Sequence, residues 1–98
     1  MSAHAAHTND LTELRNFIHH KLCEREQLEP GIFPMTERIL TRSGKPCGIY
    51  FSLHGPRSVR LTAIWETEKN TVLFYASTGE RFGRTHLVAA ATMAAFAG

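Results

Sequence analysis

The apolar positions of this chain follow two periods, one after the other. From Leu11 to Leu22, the residues Leu11, Leu14, Phe17, Ile18 and Leu22 recur three and four apart, with Glu13, Arg15, His20 and Lys21 mostly off the stripe. That spacing puts one apolar face on an α-helix. Asp10-Leu11-Thr12-Glu13 has the form of a capping box, in which the Asp10 carboxylate accepts from the Glu13 amide and the Glu13 carboxylate returns the bond, so the helix is predicted to start here. Pro30-Gly31 sets its latest end, with Glu24 to Leu28 as its last turns.

From Thr36 onward the period is two, and β-branched and aromatic residues gather between turn signals. Four strands are predicted, at about 36–42, 47–54, 59–66 and 71–77. The segments between them, Ser43-Gly44-Lys45-Pro46, Gly55-Pro56-Arg57-Ser58 and Thr67-Glu68-Lys69-Asn70, are rich in turn formers. Such short connections require antiparallel neighbours, because a parallel crossover needs a dozen or more residues. One face of this meander collects Ile39, Ile49, Phe51, Leu53, Val59, Leu61, Ala63, Trp65, Val72, Phe74 and Ala76. The helix carries the matching stripe and should cover that face. The fold class is therefore α+β, an N-terminal helix packed on a four-stranded antiparallel β-meander.

After Ser77 the stretch Thr78 to Arg84 is punctuated by glycine and reads as a loop, with Thr85 capping a short C-terminal helix from His86 toward Phe96. Residues 1–9 read as a flexible N-terminal tail and residues 10–98 as a single α+β domain, a size that supports one core.

The opposite face of the same strands would present Arg38, Leu40, Arg42, Tyr50, Ser52, His54, Arg60, Thr62, Ile64, Leu73 and Tyr75. A free sheet face normally turns polar, yet Leu40, Tyr50, Ile64 and Leu73 leave an apolar patch there. Three covers are open: the C-terminal helix, a second copy of the chain, or another ligand. Arg38, Arg42 and Arg60 among Tyr50 and Tyr75 also offer phosphate contacts beside stacking rings, which makes single-stranded nucleic acid the alternative.

Composition narrows the field. The chain of 98 residues is 43% hydrophobic and 20% charged, ordinary for a folded protein. Its formal charge of +2 is unevenly spread: residues 1–30 hold three basic and five acidic groups, and residues 31–98 hold eight and four. Met1 to Asp10 has no apolar run of the kind a secretory signal needs, and the uncharged stretch Leu87 to Gly98 is too short to cross a bilayer, which takes about twenty residues; a cytoplasmic protein without membrane partners is the expectation. Cys23 and Cys47 make no CxxC pair, so buried free thiols are expected.

No chemistry-bearing motif stands out. His19, His20 and Cys23 on the helix with Cys47 and His54 on the sheet form no compact metal-ligand pattern, and no metal or other cofactor is expected. Ser52 and His54 share a face without a third member, since Asp10, the only aspartate, caps the helix. Gly79 to Thr85 is one residue short of a phosphate-binding loop and has arginine for its lysine, leaving Arg81 and Arg84 as weak anion contacts. The reading is a non-catalytic interaction or regulatory domain. It binds a protein partner or itself through the second sheet face, at Arg38, Leu40, Arg42, Tyr50, His54, Arg60, Ile64, Leu73 and Tyr75, and through the C-terminal region with Arg81 and Arg84.

Overall fold

A computed structural model describes His4–Ala6 and residues 10–87. The elements in chain order are β1 (His4–Ala6), α1 (Leu11–Arg25), β2 (Met35–Arg42), β3 (Lys45–His54), β4 (Arg60–Glu66), β5 (Thr71–Tyr75) and β6 (Arg81–Leu87), with a single 3₁₀ turn at Pro56–Ser58. The fold is α+β. Strands β2 to β6 form a five-stranded antiparallel meander, and β1 adds to its outer side, parallel to β6.

The helix begins where the cap signature put it, with Asp10 Oδ1 accepting from the Glu13 amide at 2.9 Å. It ends earlier than Pro30. Gln27 takes a left-handed φ of 55°, the Gln27 amide donates to the Glu24 carbonyl at 3.3 Å, and the Leu28 amide donates to the Cys23 carbonyl at 2.8 Å. This is the Schellman arrangement that closes a helix by satisfying its last carbonyls.

Leu14, Ile18, Leu22 and Cys23 of α1 are fully buried against Ile49, Phe51, Leu53, Leu61, Ala63, Trp65, Val72 and Phe74. Removing each leucine-sized side chain from water is worth about 1.5–3 kcal/mol, so this one layer carries the stability. Phe17 meets Phe74 edge-on at 6.1 Å. Arg15 grips Glu37 with two hydrogen bonds, of 2.7 and 2.5 Å, and ties the helix to the edge strand β2.

Asn70 knots the far end. It turns the chain between β4 and β5 with φ 47°, accepts from the Trp65 indole at 3.1 Å and donates to the Leu87 carbonyl at 3.0 Å.

Two expectations are corrected. The loop and helix cap placed at Thr78 to His86 are instead a tight turn followed by strand β6, and the meander has five strands rather than four. Inward positions Gly83, Thr85 and Leu87 are buried while Arg84 and His86 are exposed, so the alternation is real but carried by residues that are not all apolar. The remainder of the expected C-terminal helix lies outside the described residues, as does most of the expected tail. The second correction is Ile39, placed in the buried face but 57% exposed. It sits on edge strand β2, away from β4, over which α1 chiefly packs, and the helix touches β2 through the Arg15–Glu37 pair rather than by covering Ile39.

The register is fixed tightly at two points. Ser43 and Gly44, with φ 52° and 77°, make the two-residue hairpin turn that needs positive φ at both positions. At Gly48 a Cβ would stand 2.3 Å from the Trp65 carbonyl oxygen, so β3 and β4 approach more closely than a side chain permits. Gly48→Ala is expected to lower stability by about 2 kcal/mol and the thermal midpoint by about 10 °C; a calorimetric midpoint within a degree of the parent would contradict this packing.

Candidate functional site

Register places the second face in rows that run across the sheet. Arg38, Tyr50, Ile64, Leu73 and Arg84 are successive cross-strand partners from β2 to β6. The row therefore has an arginine at each end and three large side chains between, over about 19 Å of sheet. Beside it lie Thr36, Ser52, Thr62 and Tyr75 on one side, and Leu40, Gly48, Glu66, Thr71 and His86 on the other. His54 and Arg60 pair at the end of β3 and β4.

Among the described residues no helix or strand lies over this face, because α1 takes the other one. Leu40, Tyr50, Ile64, Leu73 and Tyr75 are only half-buried, and Arg38, Arg42, His54, Arg60 and Arg84 are exposed. The Arg38 guanidinium lies 5.4 Å over the Tyr50 ring. Arg42 reaches Glu68 at 3.9 Å, with both groups in open solvent, a contact worth little. Among the described residues, Arg38, Arg60 and Arg84 have no carboxylate within ion-pair distance.

The face is not flat. One hollow of about 320 Å³ is formed by Thr36, Glu37, Arg38, Tyr50, Ser52, His54 and Arg60, with the Glu37 carboxylate bound to Arg15 of α1. A second, of about 340 Å³, is lined by Leu40, Ile64, Leu73 and Tyr75 with Arg42, Glu66 and Glu68 at its rim. Gly48 contributes no side chain to its row, which leaves room between Leu40 and Glu66. The structure thus brings nine of the expected contact residues onto one surface, with Arg84 at its far end. Arg81, exposed at the start of β6, is in register with Tyr75 and ends the neighbouring row.

His54 finds a partner that sequence reasoning passed over. Its Nε2 lies 3.1 Å from Thr36 Oγ1 on the neighbouring strand, while Ser52 is buried on the floor of the hollow. Glu37, the carboxylate nearest in sequence, is held by Arg15. This set can hold an anion through two arginines, an imidazole and hydroxyls, and among the described residues no carboxylate bonds the His54 ring to orient it toward the Thr36 hydroxyl.

A third recess, of about 390 Å³, opens between α1 and β6 and is lined by Lys21, Glu24, Arg25, Phe82, Gly83, Arg84 and Thr85. Arg25 stacks over Phe82 at 5.0 Å. Among the described residues, the buried Thr85 hydroxyl finds no hydrogen-bond partner. The sequence singled out Arg84 as an anion contact but not the recess, which exists only if 81–87 is a strand.

His19 and Cys23 of the helix form a structural pair. The Gly31 amide donates to His19 Nε2 at 2.9 Å, and Cys23 Sγ lies 3.6 Å from the same nitrogen. Burial, with a smaller contribution from His20, pushes the His19 pKa below its usual value, and burial raises the Cys23 thiol. Among the described residues no group of three His, Cys, Asp or Glu side chains is placed to hold a metal ion, and no helix is long and apolar enough to cross a membrane.

Comparison with known proteins identifies no relative: no family model, no curated protein and no solved structure matches the chain.

The His19 contact gives stability a definite pH dependence. The folded state favours neutral imidazole, so the unfolded chain takes up the proton first, and this contribution is complete above the ordinary histidine range and lost as pH falls through it and below. His19→Gln should flatten the fall in denaturant midpoint between pH 7.5 and 5; an unchanged profile would contradict the assignment.

Proposed function

We propose that this chain is a non-catalytic interaction domain that docks a partner protein through the second face of its sheet. The observation that carries this reading is the row from Arg38 to Arg84, over which no helix or strand lies among the described residues and in which Tyr50, Ile64 and Leu73 stay half in water on a face that an independent domain would make polar. A large apolar patch rimmed by charge is the usual mark of a recognition surface.

Single-stranded nucleic acid is the second reading, favoured by the arginines beside Tyr50 and Tyr75. Two features weigh against it. The Tyr50 ring face is already taken by Arg38, and the centre of the patch is aliphatic where stacking would want open rings.

Photo-crosslinking residues introduced at Thr62 and Arg84, compared with Thr12 on the outer face of α1, test the docking surface in the native host. The expected result is a discrete adduct with one protein from the two sheet positions, absent from position 12 and abolished by Leu73→Asp. Adducts that arise equally from position 12, or that survive Leu73→Asp, would overturn the proposal.

A further inference from the structure

We infer that the partner segment docked on this face is acidic and amphipathic, placing a carboxylate in the Arg38/Arg60 hollow and apolar side chains in the Leu40/Ile64/Leu73 hollow. This rests on the docking reading above and names the chemistry of what docks.

Charge decides the occupant. Arg38, Arg60 and Arg84 stand on the face without a carboxylate partner among the described residues, whereas the face's acids, Glu66 and Glu68, lie together at the rim near Arg42. A two-fold copy of the chain would set Glu66 and Glu68 against arginines, but each copy brings Arg38, Arg42, Arg60 and Arg84 for those two acids, so positive charge would stay unmatched across the interface. Residues 88–98 carry no charged side chain, so that segment brings no acidic side chain to the arginines. A partner bearing Asp or Glu meets the requirement.

The basic hollow is shaped for a carboxylate. The Arg38 guanidinium lies 5.4 Å over the Tyr50 ring, a cation–π contact, and a guanidinium can donate two parallel hydrogen bonds to a carboxylate. Arg60 and His54 flank it, and Ser52, only 5% exposed, offers a hydroxyl on the floor. Because Arg38 is already held by the ring, little side-chain freedom remains to be lost on binding.

The two hollows are neighbours. Ser52 and Ile64 are separated by one strand and one two-residue step, about 8 Å. An extended segment spaces side chains on one face about 6.6 Å apart, and a helix brings i and i+4 to about 6 Å, so an acid and a large apolar residue two to four positions apart reach both.

A random dodecapeptide library selected on the intact chain, counter-selected on the Arg38→Glu/Arg60→Glu variant, tests this. The expected outcome is enrichment of sequences pairing Asp or Glu with Leu, Ile or Phe two to four residues away. Their synthetic versions should lose at least about tenfold in affinity in Arg38→Glu, in Arg60→Glu and in Leu73→Asp, with folding checked by circular dichroism. Enriched peptides that are neutral or basic yet sensitive to Leu73→Asp would overturn the inference and leave the docking face standing. Peptides indifferent to all three variants, or no enrichment, would overturn both. Tighter binding of an unstructured oligothymidylate, lost in the arginine variants, would assign the face to nucleic acid instead. A dimer in sedimentation equilibrium that Leu73→Asp dissociates would assign it to a second copy.

Discussion

One helix must serve a sheet that is apolar on both sides, and the rest of the molecule follows from that constraint. The fifteen-residue α1 covers a single face, burying Leu14, Ile18 and Leu22 against Phe51, Trp65 and Phe74. Side chains of a strand alternate, so every residue that anchors the helix commits its neighbours to the other side. Tyr50 follows Ile49, Ile64 lies between Ala63 and Trp65, and Leu73 lies between Val72 and Phe74. The proposed recognition surface is the back of the core.

Local backbone devices then shape that surface. The Ser43-Gly44 turn sets the β2–β3 register so that Arg38 stands opposite Tyr50 and can stack on it. A shift in pairing after Leu40 leaves Cys47 as the extra residue of a bulge and ends the regular rows just beyond Gly48. A second shift, at Phe74/Tyr75, makes Phe82 the unpaired residue of β6, where its ring packs 6.0 Å from Phe74 and under Arg25. Bulges of this kind re-aim side chains without breaking the sheet.

Most of the helix and the middle of the sheet were legible in the sequence, because there the apolar periods are unbroken. The Asp10 cap, the β3, β4 and β5 strands and the division of residues between two faces all follow from spacing. What was hidden depended on neighbours. β6 escaped notice because Gly83 and Thr85 stand at its inward positions and the Phe82 bulge breaks its phase. Ile39 has the right parity for the core, but parity does not say how far a helix reaches across a sheet. The helix stops at Gln27, where a glutamine adopts the conformation usually left to glycine, and propensity gives no warning of that. The Thr36–His54 contact joins residues eighteen apart and needs the hairpin register before it can be seen.

The central claim is that the second face is open to solvent while the first is sealed. Adding a neutral gadolinium chelate to the methyl-labelled chain and reading NMR relaxation measures it directly. Strong broadening of the Ile64 and Leu73 methyls, with Leu61 and Val72 left sharp, is the result this account predicts. Equal protection of all four would contradict it.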